Sequence, residues 1–306
     1  MSRVVVVKYN GAAPAAGLDA DDYRLLLAAG LRTLAGTGQP KAAISALLPS
    51  GVIGMKTNCI ARKLNSTPVP LVDALCSLLI ESGYHDNDLV VWDRTCHELT
   101  SAGFTLNASS FGRRCLGTDT TGAGYSSEFY LSGEVSSMVT RIMTDLVTAN
   151  INLPILKDHS IAGLSGGMKN MYGAINNPNK CHPNNCDPYC AHVSNLDPIR
   201  TKNKLIIIDA IRVQYHGGPG FVADYMYRFG GLIISNDPVA VDRVGLDVLE
   251  KIRALKGRPT LASEGRPVNY LTTAEKIGLG SATLSNIDLK ILQIDSSGQE
   301  SSGVLF

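Results

Sequence analysis

Three ionisable side chains in succession, Lys157, Asp158 and His159, follow the apolar run at residues 151–156, which predicts a buried strand. Side chains just past the carboxyl end of a strand line the crevice in which open α/β sheets bind ligands. A lysine held in a partly apolar crevice acts as an electrophile or, when its pKa is depressed, as a base. His159 should titrate near neutrality, so it is the first candidate for proton transfer, beside Lys157.

A glycine-broken turn comes next and places Lys169 and Asn170 shortly after Gly166 and Gly167. Glycines ahead of a helix let backbone N–H groups approach an anion, and a lysine adds a point charge. The GxxxxGK[ST] pattern of a Walker loop is absent from the sequence. These four residues are therefore candidate substrate-binding groups, with an ordinary turn beside a solvated lysine as the alternative.

Other predicted strands also end on charged side chains. Lys56 ends the strand GVIGMK, and Asp93 with Arg94 follows the strand DLVVW. Each of these alone is better explained by a side chain that reaches solvent from a strand end. Because the carboxyl ends of parallel strands meet at one edge of a sheet, the whole set predicts a shared crevice. Cys59 follows Lys56 closely and is the thiol expected beside that crevice.

Two further candidates lie in the carboxyl-terminal half. His216 belongs to the loop QYHGGPG, where glycines permit close backbone approach, and is a candidate base or ligand. Asp242 lies early in a helix predicted to start at Asp237, which favours a structural cap or ion pair over a role in the site, although the start of this helix is expected at the same edge of the sheet. We expect His159 and His216 in proton transfer, with Asp93 or Asp242 orienting them.

The seven cysteines are an odd number spread over a long chain, which does not predict a disulfide framework. Four potential soft ligands nevertheless share one loop: Cys181, His182, Cys186 and Cys190. Thiolates this close can bind zinc or an iron–sulfur cluster, although the usual C-x2-C pairs are missing. A single reactive thiol at Cys186, or a local disulfide, explains the loop equally well.

The elements that must position these residues alternate between strand and helix through the first half of the chain. This order predicts an α/β fold with a largely parallel central sheet flanked by helices. We expect one domain over residues 1–295, with a possible boundary between two lobes at 103–134, and a flexible Ser/Gly-rich tail at 296–306 outside the fold. A helix is predicted over residues 136–148, directly before the strand predicted at 151–156.

Composition limits the classes of protein and partner. The 306 residues are 44% hydrophobic and 18% charged, as in soluble globular proteins, and the net charge of +1 gives no basic field for nucleic acid. No apolar run approaches the roughly 18 residues needed to span a bilayer. The amino terminus does not resemble a signal peptide, so a cytoplasmic protein is expected, or an exported one if a natural leader has been trimmed. The sequence does not decide whether the protein forms a homo-oligomer.

Several segments together resemble the domain-of-unknown-function family 362 over residues 4–294. These segments are KDHSIAGLSGGMKNMYGAINNPNK, GMKTNC, VVWDR, QYHGGPG and NDPVAVDRVG. The resemblance implies a bacterial or archaeal α/β protein, with iron–sulfur binding ascribed to some members and twin-arginine export signals present in others. It implies no activity. The family's motifs match Lys157, His159, Lys169, Asn170, Gly173, Asn185, Cys186, Asp187 and Pro188.

The same resemblance also marks departures from the family. Cys181 and Cys190 stand where other members often have tyrosine or an aliphatic residue, which weakens the three-cysteine metal site. The ferredoxin-like C-x2-C-x2-C module that some members carry is absent from this sequence. Cys186 is therefore the thiol of most interest.

Two hypotheses of function follow. The first is an enzyme, of the oxidoreductase, lyase or isomerase type, acting on a small carboxylate or phosphate that Lys56, Lys157 and Lys169 bind. A divalent metal held by histidine and aspartate is a variant of this hypothesis. The second is a redox or carrier protein that holds a metal ion or an iron–sulfur cluster in the loop from Cys181 to Cys190.

Overall fold

The structure is a computed structural model and describes residues 1–11 and 17–306. The described residues form an 11-stranded sheet and a separate two-stranded hairpin. The strands are β1 (Ser2–Tyr9), β2 (Ile53–Lys56), β3 (Leu89–Asp93), β4 (Arg114–Gly117), β5 (Tyr130–Ser132), β6 (Val135–Ser137), β7 (Ala149–Asn152), β8 (Ile155–His159), β9 (Gly163–Ser165), β10 (Asn203–Gln214), β11 (Met226–Ser235), β12 (Ile287–Ile294) and β13 (Glu300–Ser302).

The helices connect these strands and flank the sheet. They are α1 (Ala20–Ala35), α2 (Pro40–Leu47), α3 (Val69–Glu81), α4 (Cys96–Ala102), α5 (Gly167–Asn170), α6 (Tyr189–Ser194), α7 (Asp197–Lys202), α8 (Pro238–Leu255) and α9 (Tyr270–Lys276). Helix α8 begins as its sequence predicts, because the Asp237 side chain accepts hydrogen bonds from the N–H groups of Val239 and Ala240. None of the helices within the described ranges is long and apolar enough to cross a membrane.

The main sheet is largely parallel, as predicted. Its order is β13-β12-β1-β11-β10-β7-β2-β3-β4, and β8 pairs with β10 and β9 beside this path. Strands β4, β3, β2, β7, β10 and β8 all run in one direction, whereas β11 is antiparallel to both of its neighbours. The carboxyl ends of β2, β3, β7 and β8 therefore meet at the same edge.

Helices cover both faces of the sheet, and β1 shows why. Its four consecutive valines are fully buried because the side chains alternate between two cores. Val5 and Val7 pack in one core with the apolar side chains of α1, α2 and α3. Val4 and Val6 pack in the other core with α6, α8 and α9.

Three local predictions were wrong. The run at 151–156 is not one strand but the end of β7 and the start of β8, since Pro154 has no N–H to continue a ladder. Residues 136–148 form the end of β6 and then one π-helical turn at Ile142–Leu146, rather than an α-helix over the whole range. The carboxyl-terminal segment does not lie outside the fold, because β13 pairs with β12 and the ring of Phe306 packs against Phe229.

The segment 103–134, considered as a lobe boundary, contains β4 and β5. Strand β4 is the edge strand of the main sheet, and β5 pairs only with β6 in the separate hairpin. Leu116 of β4 packs in one core of the sheet, and Phe104 and Cys115 pack in the other. This segment therefore contributes to both cores.

Candidate functional site

A cavity of about 490 Å³ opens at the edge where β2, β3 and β8 end. The convergence of charged strand ends expected from the sequence is therefore present. Of the candidate residues, ten line this cavity: Lys56, Cys59, Asp93, Arg94, Lys157, His159, Gly166, Lys169, Asn170 and His182.

Strand β8 places its three ionisable side chains on opposite faces. Lys157 and His159, two residues apart, line the cavity, while Asp158 points away from it, as strand alternation requires. Asp158 accepts from Arg266 at 2.5 Å and from the Gly218 N–H at 3.1 Å. These hydrogen bonds engage Asp158 in the interior, so Lys157 and His159 are the ionisable side chains of β8 that can contact a ligand in the cavity.

Lys157 is buried with little to compensate its charge. Its side chain is 1% exposed, and its Nζ donates to Asn58 Oδ1 at 3.0 Å. Lys157 takes part in no ion pair with the residues that the structure describes. Burial lowers the pKa of Lys157 to about 8, because removal from water disfavours the charged form.

A chain of side-chain amides fixes the position of the Lys157 ammonium. Asn58 Nδ2 donates to Asn170 Oδ1 at 3.0 Å, and Asn170 Nδ2 donates to Asn152 Oδ1 at 2.7 Å. Asn152 Nδ2 then donates to the carbonyl of Gly167 at 2.7 Å. Each amide has one orientation in this chain, so Asn58 presents its oxygen to Lys157. Asn58 was not among the residues selected from the sequence.

Lys56 and Asp93 satisfy each other. Lys56 Nζ lies 2.5 Å from Asp93 Oδ1 and 2.6 Å from the carbonyl of Thr57. The Asp93 carboxylate also accepts the backbone N–H groups of Arg94 at 2.7 Å and of Cys59 at 2.8 Å. With both oxygens occupied, Asp93 positions Lys56 and the Cys59 loop and does not serve as a free base. Lys56 is likewise held in an internal pair.

His159 is a neutral hydrogen-bond donor. Its Nδ1 accepts the backbone N–H groups of Ile161 and Ala162, each at 3.1 Å, so the ring proton belongs on Nε2. Burial, followed by the positive charge of Lys169, lowers the pKa of His159 to about 3. The prediction that this histidine titrates near neutrality was therefore wrong, because it did not include the two N–H groups and the neighbouring cation.

Lys169 lies between two rings on another wall of the cavity. Its Nζ is 3.1 Å from His182 Nε2 and 3.8 Å from the centre of the Tyr172 ring. His182 Nδ1 lies 3.2 Å from the carbonyl of Pro178, which assigns its proton to Nδ1 and leaves Nε2 to accept from Lys169. Burial lowers the pKa of both Lys169 and His182. Tyr172 was not selected from the sequence.

Asp242 supports the glycine turn from below the cavity. Its fully buried carboxylate accepts the N–H groups of Gly167 at 2.6 Å and Met168 at 2.9 Å, and it does not line the cavity. Burial raises the pKa of Asp242 to about 7. A Cβ on Gly166 would lie 2.4 Å from Asp242 Oδ1, so glycine is required there by close approach. Gly167 likewise serves packing and does not contact the cavity.

The cysteine loop does not assemble a metal site. Cys181, Cys186 and Cys190 are buried, and burial raises the pKa of each thiol, which disfavours the thiolate that metals bind. His182 is already engaged with Lys169. Within residues 1–11 and 17–306, no group of three or more His, Cys, Asp or Glu side chains is arranged to hold a metal ion. The four residues therefore do not fit a metal ion or an iron–sulfur cluster in this arrangement.

His216 does not belong to the cavity. Its ring packs edge-on against Tyr225, with the ring centres 4.8 Å apart, and burial lowers the pKa of His216. Its Nδ1 is buried without a partner among the described residues. Its loop follows β10, which ends at Gln214, and Pro219 of this loop lines the cavity whereas His216 does not.

Comparisons with known proteins agree with the sequence motifs. A family model described as "Domain of unknown function (DUF362)" matches residues 53–247, more than half of the chain. A comparison with curated proteins found no match. Among solved structures, the chain is similar to a Thermotoga maritima protein from a structural genomics programme, with 11% identity and a TM-score of 0.40. That alignment covers 78% of this chain and 59% of the other. The chain belongs to the domain-of-unknown-function family 362.

Proposed function

We propose that the protein is an enzyme that binds a small carboxylate or phosphate in this cavity and acts on it at Lys157 and His159. The observation that carries the proposal is the state of Lys157, a buried ammonium whose hydrogen-bond partner is a neutral amide. A buried charge without a counter-ion costs several kcal/mol. An anion bound in the cavity removes that cost, because its oxygens accept the remaining N–H groups of Lys157.

The charge balance of the cavity favours the same class of ligand. Among the described residues that line it, four are cations and two are carboxylates, and the Lys56–Asp93 pair is internally neutral. His159 and His182 are neutral, since the pKa of each is lowered. An excess of two positive charges remains for a ligand. The charged lining residues are Lys56, Lys157, Lys169, Arg94, Asp93 and Glu98.

The site offers proton transfer as well as binding. Lys157, with a pKa of about 8, has accessible charged and neutral forms near neutral pH, as a general acid or base requires. His159 presents an N–H that does not itself ionise in this range, and a neutral imidazole of this kind stabilises negative charge that develops on oxygen. The two groups are on the same face of β8 and can act on adjacent atoms of one substrate.

Isothermal titration calorimetry on the full chain tests the proposal, with inorganic phosphate, sulfate, lactate and pyruvate as probes and their uncharged analogues as controls. We expect anions alone to bind and Lys157→Met to weaken binding at least tenfold. Lys41→Met is the matched control, because Lys41 is exposed on α2. Equal affinity of Lys157→Met and wild type for the anions would contradict the proposal.

The thiol-based alternative from the sequence remains an untested prediction. No contact among the described residues of the loop favours it, because the thiols lie in the apolar core and the single histidine pairs with Lys169. Metal content of anaerobically purified protein, compared with that of Cys186→Ala, measures it directly.

A further inference from the structure

Three buried lysines line the cavity, and they differ in how their neighbours engage them. Lys56 Nζ lies 2.5 Å from the Asp93 carboxylate. Lys169 donates to His182 and lies over the Tyr172 ring at 3.8 Å. Lys157 donates to an amide oxygen and takes part in no ion pair or cation–π contact with the described residues. Lys157 is therefore the lysine whose amine is least engaged by its neighbours, and such an amine in its neutral form is a nucleophile.

The surroundings of Lys157 are those of an amine that attacks a carbonyl group. It opens onto a cavity of about 490 Å³, large enough for a small metabolite beside it. His159 lies on the same face of β8 with its Nε2 proton available to a carbonyl oxygen. Lys169 and Arg94 line the same cavity and supply two positive charges for an anionic group elsewhere on the substrate. The Asn58 amide holds the amine in place without supplying a negative charge.

We propose that Lys157 forms a covalent imine with small oxo acids, molecules that carry both a carbonyl group and a carboxylate. This inference rests on the proposed anion site and narrows its substrate class. Lys169 and Arg94 bind the carboxylate, and the carbonyl carbon lies against Lys157 Nζ.

The step balances without an oxidant or a reductant. The lone pair of neutral Nζ forms a bond to the carbonyl carbon, and the carbonyl electron pair moves to oxygen, where the His159 N–H hydrogen-bonds to it. The oxygen then leaves as water with the two protons that the amine has lost, and a carbon–nitrogen double bond remains. Protonation of that imine gives an electron sink at the substrate carbon, which is the chemistry that buried Schiff-base lysines provide.

Borohydride trapping on the full chain tests the inference. The protein is incubated with pyruvate or 2-oxoglutarate, reduced with sodium borohydride, and analysed by intact mass and peptide mapping. We expect one adduct per chain, located at Lys157 and absent with lactate, which lacks the carbonyl, and weak with acetone, which lacks the carboxylate. Lys41→Met should behave as wild type.

Two variants separate imine formation from anion binding. Lys157→Arg keeps the positive charge without a primary amine, so it should bind pyruvate in calorimetry and give no adduct. Lys157→Met should bind pyruvate at least tenfold more weakly and give no adduct, and circular dichroism reports whether each variant is folded. Pyruvate binding by wild type without an adduct would overturn the imine and leave the anion site standing. Neither binding nor adduct with any oxo acid would overturn both, and an adduct spread over exposed lysines or equal with acetone would overturn the inference.

Discussion

The buried charges on the two faces of β8 differ in whether an opposite charge compensates them. The front of β8 is the face toward the cavity, and the back is the face that carries Asp158. Behind the strand, Asp158 lies 2.5 Å from Arg266 and 3.8 Å from Arg253, and both arginines also bind Glu264. In front of it, Lys157 is equally buried but, among the described residues, its ammonium donates to the neutral amide of Asn58 and forms no ion pair. Charges in the first group compensate one another, so they serve the fold. The charge in the second group lacks compensation within the described chain, which is expected of a site that awaits a ligand.

The largest expected effect lies behind the strand. Arg253→Met leaves Asp158 and Glu264 without a fully buried partner and also removes hydrogen bonds to the carbonyls of Tyr215 and Pro259. Breaking such a buried network should lower the free energy of unfolding by about 3–5 kcal/mol. Urea denaturation at pH 7 measures it, and the exposed Arg62→Met is a control. A loss below about 1 kcal/mol would contradict the view that Arg253 compensates the buried charges of Asp158 and Glu264.

In front of the strand, removal of the buried charge should instead raise the free energy of unfolding. Lys157→Met removes a charge whose burial is unfavourable, so the variant should be more stable than wild type at pH 7. The pKa of Lys157 is about 8 in the folded protein, below its ordinary value of 10.5. The unfolded chain therefore binds more protons between these values, and wild-type stability rises with pH across that interval, by up to about 3 kcal/mol.

Denaturation of both proteins from pH 7 to 10.5 measures this second effect. The stability difference between Lys157→Met and wild type should shrink as the pH rises through 8 and should be small near 10.5. A constant difference over this range would mean that Lys157 has an ordinary pKa and that the two faces of β8 do not differ in the way described.

A third change acts on the turn that carries Lys169 and Asn170. In Gly166→Ala the new methyl group would lie 2.4 Å from Asp242 Oδ1, so the turn or the carboxylate must move. We expect a loss of about 1–3 kcal/mol in unfolding free energy, as for other overpacked sites, and weaker anion binding. Gly38→Ala is the control, since a Cβ there meets no atom of the described residues within 4 Å. Unchanged melting temperature and affinity in Gly166→Ala would contradict this prediction.

The comparison also shows what the sequence could and could not predict. Apolar runs that end on charged residues predict parallel strands with a polar edge, and the periodicity needed for that inference is local. The partners of those charges are not local. Lys157 meets Asn58 and Lys56 meets Asp93 across the fold, so neither the free charge nor the compensated one could be identified in advance.

His159 and His216 show the same limit for histidines. The sequence makes both of them candidates for proton transfer, but two backbone N–H groups fix the tautomer of His159, and the ring of His216 packs against Tyr225 outside the cavity lining. Tautomer and distance depend on how the chain packs. The apolar runs that end on charged residues therefore predict which edge of the sheet holds the site. The roles of the individual residues follow from contacts between segments that are distant in the sequence.

The smallest expected effect concerns His159. Since its pKa is about 3, it stays neutral from pH 5 to 10, so the lactate affinity of His159→Phe and of wild type should depend on pH in the same way from pH 5 to 7, where lactate remains ionised. Affinity should fall above pH 8 as Lys157 loses its proton. His159→Phe removes one hydrogen bond to the anion, which should weaken lactate binding about tenfold without moving the alkaline fall. His97→Phe, at an exposed histidine on α4, is the control. An inflection in lactate affinity near pH 6 that His159→Phe abolishes would mean that this histidine ionises. Both His159 and Lys157 would then titrate on the front face of β8, whereas the contacts described above predict that Lys157 alone does so.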